Sequence, residues 1–373
     1  MFDDSVQSIF GLFLLGLLGS FGSIVSPVLP QYAEQLGASY MEIGLFFSAY
    51  SFTWAFLQLY TGYLSDKYGR KKFVMLGLFI YGLSLILVGF SQNFMQLIIF
   101  RVFQGVGLGI FGPAALGLVA QVRKKGKGFA LYRTANGLGL MLGPMIGGIV
   151  GSINLSYPFF LGGLLSLLAI PPVLLIPKGE SYGAGRENFL ASLRGLILTE
   201  KVVLICLATF MVELAFASLD IIIPLFGSVQ GFSPASIGII LSSYFIAFTI
   251  FQTPIGIISE KISRKALIVF CALTGAIPFI LLYYFHDVVT MSLAMGILGV
   301  TLGTVFVQSS ALIAGIAPED KKSLYMAFLD SIIDYSFIIM PPISTYTFTY
   351  ASTVPFILCA CLMISAGIIF MKI

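Results

Sequence analysis

Charge is what this sequence has least of. Only 10% of its 373 residues are Asp, Glu, Lys or Arg, against about 25% in a soluble domain, so water cannot be its main solvent. Histidine occurs once, and no Ser/His/Asp constellation is legible to support enzymatic chemistry. The four cysteines, Cys206, Cys271, Cys359 and Cys361, fall inside apolar runs without metal-ligand spacing and read as small apolar filler. No metal and no organic cofactor is expected. The net charge of +4 says nothing about nucleic acid, because what matters is where the charges sit; no nucleic-acid partner is expected.

What is abundant is apolar: 58% of residues are hydrophobic and the mean hydropathy is +1.02. A bilayer core is ~30 Å thick and a helix crosses it in ~20 apolar residues, which leaves this length room for about a dozen crossings. The apolar runs predict spans near 8–30, 43–64, 72–91, 94–119, 129–151 and 157–176, then near 201–226, 234–258, 266–284, 288–314, 323–345 and 348–371. The first run has no basic lead and no small-residue cleavage site, and is expected to be retained.

Basic residues mark the sides. Lys67, Arg70, Lys71 and Lys72 lie between spans 2 and 3; Arg123, Lys124, Lys125 and Lys127 between spans 4 and 5. Lys178, Arg186, Arg194 and Lys201 lie in the central connection, Lys261, Arg264 and Lys265 between spans 8 and 9, and Lys321, Lys322 and Lys372 complete that side. Of the twenty Lys and Arg, only Arg101 and Arg133 are left, both inside spans. Positive charge gathers on the cytoplasmic side, so both termini are expected there, in a plasma-membrane protein.

The chain also repeats itself at an offset of 194 residues. Pro30 maps to Pro224, Gly37 to Gly231, Ser39 to Ser233, Tyr50 to Tyr244, Gln58 to Gln252 and Gly62 to Gly256; Gly105 and Gly109 fall on Gly299 and Gly303. One six-helix unit, duplicated in parallel, explains a register held this far. The expected division is 1–176 and 201–373 as two pseudo-symmetric six-helix bundles, joined by a cytoplasmic connection 177–200. Within that connection, Arg186–Leu198 is readable as a helix on the membrane surface.

Three motifs are specific. Gly62-Tyr-Leu-Ser-Asp66-Lys67-Tyr-Gly69-Arg70-Lys71 resembles the signature loop between helices 2 and 3 of the major facilitator superfamily, with a degenerate copy from Gly256 to Lys265 in which Ser263 replaces a glycine. Ile98-x-x-Arg101-x-x-Gln104-Gly105-x-Gly107-x-Gly109 is similar to the family's helix-4 motif; its glycines allow close helix approach. Gly139-x-x-x-Gly143-Pro144-x-x-Gly147-Gly148 resembles the helix-5 motif of the superfamily's proton-driven exporters, with Ala130 where a further glycine is expected. It reads as a bend that opens a close contact between the halves. Gln121 stands where the family ends helix 4 with Asp, and Arg133 at a helix-5 position that is usually small.

The resemblance implies an all-α membrane protein of twelve transmembrane helices in the major facilitator fold, working by alternating access with a gating loop at Gly62, Asp66, Lys67, Gly69, Arg70 and Lys71. It implies no enzyme, but proton-coupled antiport of a lipophilic or cationic small molecule, powered by the proton gradient, in a monomer. The alternatives are a proton-coupled symporter or facilitator importing a polar metabolite, and a non-transporting receptor or sensor.

Charges inside spans are costly enough to be functional hypotheses by default. Six qualify: Arg101, Arg133, Glu213, Asp220, Asp330 and Asp334. Glu213 and Asp220, seven residues apart, share a face of span 7. Asp220 matches Arg101 in depth and precedes Pro224, so an Asp220–Arg101 pair with Asp220 as coupling acid is the sharpest expectation. Asp330 and Asp334 share a face of span 11. Aligned on Pro144 and Pro341, Asp330 corresponds to Arg133, and these two opposite charges are expected to pair near the inner surface. His286 reads as a solvated loop residue.

Overall fold

The structure is a computed structural model that describes residues 6–120, 125–176, 199–318 and 322–373. Among them every regular element is a helix. Eleven segments are long and apolar enough to cross a bilayer. The twelfth expected span is α3, Tyr40–Tyr68, a 29-residue helix that at 1.5 Å per residue is ~43 Å long. It falls short in apolarity because Ser48, Ser51, Thr53, Gln58, Thr61 and several tyrosines interrupt it.

The chain forms two compact units: the described parts of Met1–Gly185 with Gly227–Ser242, and those of Arg186–Phe226 with Ser243–Ile373. The expected connection 177–200 lies, but for its last two residues, outside the described residues. So does the surface helix expected over 186–198.

In the first unit, α1 (Val6–Gly19) runs into a 3-10 segment (Phe21–Val25) and the short α2 (Leu29–Gln35). Then come α3, α4 (Arg70–Gly89), α5 (Phe94–Val119), α6 (Lys125–Gly151), and a broken span of α7 (Tyr157–Leu168) and α8 (Ile170–Leu175). The break at Ala169 follows from the prolines that open α8, which cannot donate into the preceding turn. Leu12, Leu15, Val74, Leu78, Phe111 and Leu118 form its buried centre.

In the second part of the chain, α9 (Glu200–Val229) and α10 (Pro234–Lys261) lead to α11 (Arg264–Thr274) and α12 (Ala276–Tyr284), which divide one span at Gly275. They are followed by α13 (Val288–Ile316), α14 (Lys322–Tyr350) and α15 (Val354–Lys372). Val202, Ile205, Ile313, Leu329 and Ile333 are packed together here. The repeat is visible in the turns that enter α3 and α10. Gly37 and Gly231 have φ of +89° and +75°, and Ser39 and Ser233 cap the helices by accepting from the amides of Glu42 and Ser236.

Candidate functional site

The loop at 62–71, for which a gating role is expected, is built by one turn and three helix ends. Gly69 separates α3 from α4 with φ +106°, a region in which a Cβ is strained. That turn brings Arg70 back over Asp66: Arg70 Nε lies 2.6 Å from Asp66 Oδ1. Its Nη1 donates to the Gly117 carbonyl of α5 at 2.5 Å, at the partially negative end of that helix. Lys71 Nζ donates to the carbonyls of Leu174 and Ile176, 2.9 and 2.8 Å away, at the end of α8. Lys67 lies over the Tyr68 ring at 5.2 Å, and a Cβ on Gly62 would touch Pro113 of α5 at 3.5 Å. An isolated surface ion pair contributes little, but this one is extended by carbonyls from two other helices. Gln121 lies outside the described residues; the carboxylate facing Arg70 is that of Asp66. In the second copy, Lys261, Arg264 and Lys265 are exposed.

The helix-5 motif has two working faces. Added Cβ atoms on Gly139, Gly143 and Gly147 would meet the Leu17 carbonyl, the Ser23 side chain and the Ile24 carbonyl, so this face lies against α1 and the 3-10 segment of the same half. The expected contact with the second half of the sequence falls instead on Gly148, whose Cβ would meet Pro234, and on Gly238 of α10, which abuts the Pro144 carbonyl. All of these residues belong to the first compact unit. The difference follows from helix geometry: spacing of four keeps Gly139, Gly143 and Gly147 on one stripe, and Gly148 is turned about 100° away from it.

Arg101 is buried on α5. Its Cζ lies 4.1 Å from the Tyr50 ring centre, 5.3 Å from that of Phe46 and 5.6 Å from that of Phe47, all on α3. Gln104 Oε1 accepts from its Nη1 at 2.6 Å, and Tyr81 of α4 reaches both Gln104 and Tyr50. A cation removed from water is thus held by ring faces and an amide oxygen.

In the second unit Glu213 of α9 and Asp334 of α14 are both buried, at 7% and 9% exposure, and act on each other electrostatically. Tyr244 of α10 is within the field of Glu213 and stacks on Phe216 at 4.8 Å between ring centres. Phe216 in turn meets Phe337 of α14 edge-on at 5.8 Å. Nearby, Ser344 donates to Ser218 at 2.8 Å, joining α14 to α9. The structure therefore puts Glu213 and Asp334 within electrostatic reach of each other, although they lie on different expected faces and had no pairing in the sequence. Asp220 is half-buried and Asp330 exposed. Arg133 is exposed on α6, its guanidinium over Phe129 of its own helix at 5.2 Å. His286 is exposed between α12 and α13, with Nε2 2.9 Å from the Tyr283 carbonyl. Among the described residues no group of His, Cys, Asp and Glu could hold a metal ion.

Sequence reasoning gave no site role to the ring sets Phe46–Phe47–Tyr50 and Phe216–Tyr244–Phe337. The signal available was the repeat itself, which equates Tyr50 with Tyr244.

A register repeated at 194 residues, a loop after the second span held by Arg70 and Lys71, and charges buried inside helices of bilayer length mark a polytopic membrane protein. Profile comparison agrees: the Major Facilitator Superfamily profile matches residues 10–234 and 205–373, and the chain belongs to that family. Its helices of bilayer length fit a multi-pass membrane protein. An uncharacterized MFS-type transporter of Methanocaldococcus jannaschii is 34% identical over 149 residues, 39% of each chain. The quinolone resistance protein NorA of Staphylococcus aureus is 29% identical over 235 residues, 61% of this chain and 60% of that one. The chain thus matches about two fifths to three fifths of the length of these curated relatives. The crystal structure of a nucleoside transporter, NupG, superposes with a TM-score of 0.82 at 13% identity, covering 98% of both chains. At that identity the likeness is one of fold.

Proposed function

We propose that the chain is a proton-driven exporter of lipophilic, including cationic, small molecules, with the Glu213–Asp334 pair as its coupling site. The observation that carries this reading is the burial of two carboxylates together in one bundle. A proton entering the pair cancels one of two neighbouring charges, so proton occupancy changes the site's field by a whole unit in a low dielectric. The rings of Phe216, Tyr244 and Phe337 beside the acids suit a lipophilic cation, which meets both a negative charge and ring faces there. A proton and a cation would then compete for the same acids, as antiport requires. Similarity to NorA, a quinolone resistance protein, and the helix-5 glycines support export over import. Asp220, half-buried seven residues beyond Glu213 on α9, is the third acid on the route. The basic connections support an orientation with both termini in the cytoplasm, in a plasma-membrane protein that works as a monomer and alternates between states by rocking of its two bundles.

Proteoliposomes with an imposed pH gradient and ethidium as probe test the reading. Wild-type protein is expected to accumulate ethidium uphill, with Glu213→Gln abolishing accumulation while downhill exchange persists. Normal uphill transport by Glu213→Gln with loss in Asp220→Asn would move coupling to Asp220. Wild-type transport indifferent to the gradient would reject proton coupling, and gradient-driven uptake of a polar metabolite in the proton's own direction would favour the importer.

A further inference from the structure

Each half of the chain carries the same small assembly around a charge of opposite sign. At the 194-residue offset Tyr50 of α3 corresponds to Tyr244 of α10, and Gly105 of α5 to Gly299 of α13. In both places the glycine receives the backbone of the tyrosine. A Cβ on Gly105 would lie 2.6 Å from the Tyr50 carbonyl oxygen, and one on Gly299 would run into the Tyr244 carbonyl oxygen. Backbone contact of this kind is available only where a side chain is missing. It fixes the height and rotation of the neighbouring helix at the tyrosine, and hence where the ring points.

The rings then meet different partners. Tyr50 presents its face to Arg101 at 4.1 Å, with the negative side of the ring quadrupole toward the guanidinium. Tyr244, 5% exposed, lies nearly parallel to Phe216, with an interplanar angle of 22°. Phe216 is three residues, about one turn, past Glu213 on α9. The stack clamps the turn of α9 that carries Glu213.

We propose that Tyr50 and Tyr244 are paired positioning residues of the transport cycle. Each is seated by its glycine so that its ring holds the buried charge of its own half: Arg101 directly by Tyr50, and Glu213 through Phe216 by Tyr244. The duplication thus preserved the holder, whereas the held charges lie at non-equivalent places: Met295 stands where Arg101 would be and Gly19 where Glu213 would be. The Tyr244 half of the proposal rests on the reading of Glu213 as a coupling acid; the Tyr50 half does not.

The test compares ring loss with ring retention in proteoliposomes, again with ethidium and a pH gradient. Tyr50→Leu and Tyr244→Leu are each expected to lower the maximal rate at least tenfold, with KM changed less than threefold, whereas Tyr50→Phe and Tyr244→Phe retain rates within twofold of wild type. Normal rates in either Leu variant would overturn the proposal for that half, as would Phe variants that fail as badly as Leu. Should the Leu variants not fold, ring-fluorinated phenylalanine at each position keeps the shape while weakening the quadrupole. Rates are expected to fall with fluorination at 50 and to hold at 244, where the ring faces another ring; an equal response at both positions would overturn the cation-holding role. A transport-independent readout separates this proposal from the function it draws on. The NMR signal of Arg101 Nε–H is expected to be displaced upfield by ring current and to relax in Tyr50→Leu. The Glu213 carboxyl carbon is expected to shift in Tyr244→Leu. Unmoved signals would sink the positioning role even in an active exporter, and moved signals in a protein that ignores the gradient would sink the exporter and leave the positioning role standing.

Discussion

In the first half, α6 meets its neighbours through glycines: Gly139, Gly143 and Gly147 lie against carbonyls and a serine of α1 and the 3-10 segment. In the second half, alignment on Pro144 and Pro341 puts Ser336, Met340 and Ser344 of α14 at those places. There Ser344 reaches Ser218 of α9 with a buried hydroxyl bond, and Ser336 bonds back to the Ile333 carbonyl of its own helix. The loops differ in parallel. Arg70 is held by Asp66 and the Gly117 carbonyl, and its counterpart Arg264 is exposed. A contact made by the absence of atoms has no slack, because any side chain must push a backbone aside. A contact made by a hydroxyl tolerates loss at the cost of about one hydrogen bond. The first half is therefore expected to be the less forgiving of change.

The sharpest way to break that comparison is at its tightest point. Gly147→Leu forces α6 away from the Ile24 carbonyl and is expected to destabilise the protein by about 3 kcal/mol or more. Ser344→Ala, which removes one buried hydroxyl bond, is expected to cost about 1 kcal/mol. Thermal unfolding in detergent reads both, and similar shifts would erase the distinction. Next in size is the latch. Arg70→Ala is expected to slow transport about tenfold, equivalent to about 1.4 kcal/mol, with substrate affinity nearly unchanged because the loop biases states and not the site. Arg264→Ala is expected to stay within twofold. A variant of Arg70 that binds poorly but turns over normally would show the loop to be part of the binding site.

Much of this was legible in the sequence because the physics is local or compositional. Apolar runs of bilayer length, basic connections and a register kept over 194 residues need no knowledge of packing, and the loop at 62–71 could be located from its motif. Three matters were not legible. Span 2 passes as apolar only when its tyrosines are counted as such; its hydroxyls and the amide of Gln58 put α3 below the other spans. The partners of a charge depend on helix rotation, so Glu213 finding Asp334 needed coordinates, as did Arg101 finding the face of Tyr50. The face of each helix-5 glycine was also hidden, since a one-residue step from Gly147 to Gly148 changes the neighbour from the 3-10 segment to α10.

A smaller effect is expected at the one glycine of the loop that the second copy does not keep. Gly69 has φ +106° and Ser263, at the same place in the second copy, has φ −54°. Ser263 instead caps α11, accepting from the Ala266 amide at 3.5 Å. Gly69→Ser places a Cβ in a strained conformation and is expected to cost about 1–3 kcal/mol unless the turn reroutes. Ser263→Gly loses only a weak cap, a few tenths of a kcal/mol. Unfolding midpoints that fall equally in both variants would mean that the two turns have the same conformational demand after all.

The smallest difference lies at the opposite ends of these helices and is a matter of pH. Ser39 and Glu42 cap α3 reciprocally: the Ser39 amide and hydroxyl donate to Glu42 Oε2 at 2.8 and 2.7 Å, and the Glu42 amide donates back to Ser39 Oγ. The second copy has Ser233 and Ser236 there, two hydroxyls 3.0 Å apart with no charge to lose. Donors from Ser39 hold the Glu42 carboxyl below its ordinary pKa. A lowered folded-state pKa means the cap's contribution is fully present above the unfolded value of about 4.3 and is lost as pH falls through the lower folded value. Acidification below about pH 4 should therefore loosen the start of α3 and leave that of α10 unchanged. A carbon-13 titration of the Glu42 carboxyl is expected to give a midpoint below that of a free glutamate, with amide signals of residues 39–42 moving in the same window and those of 233–236 flat. A midpoint at or above the free value, or equal movement at both helix starts, would show that the charge in the first cap does no more than the hydroxyl in the second.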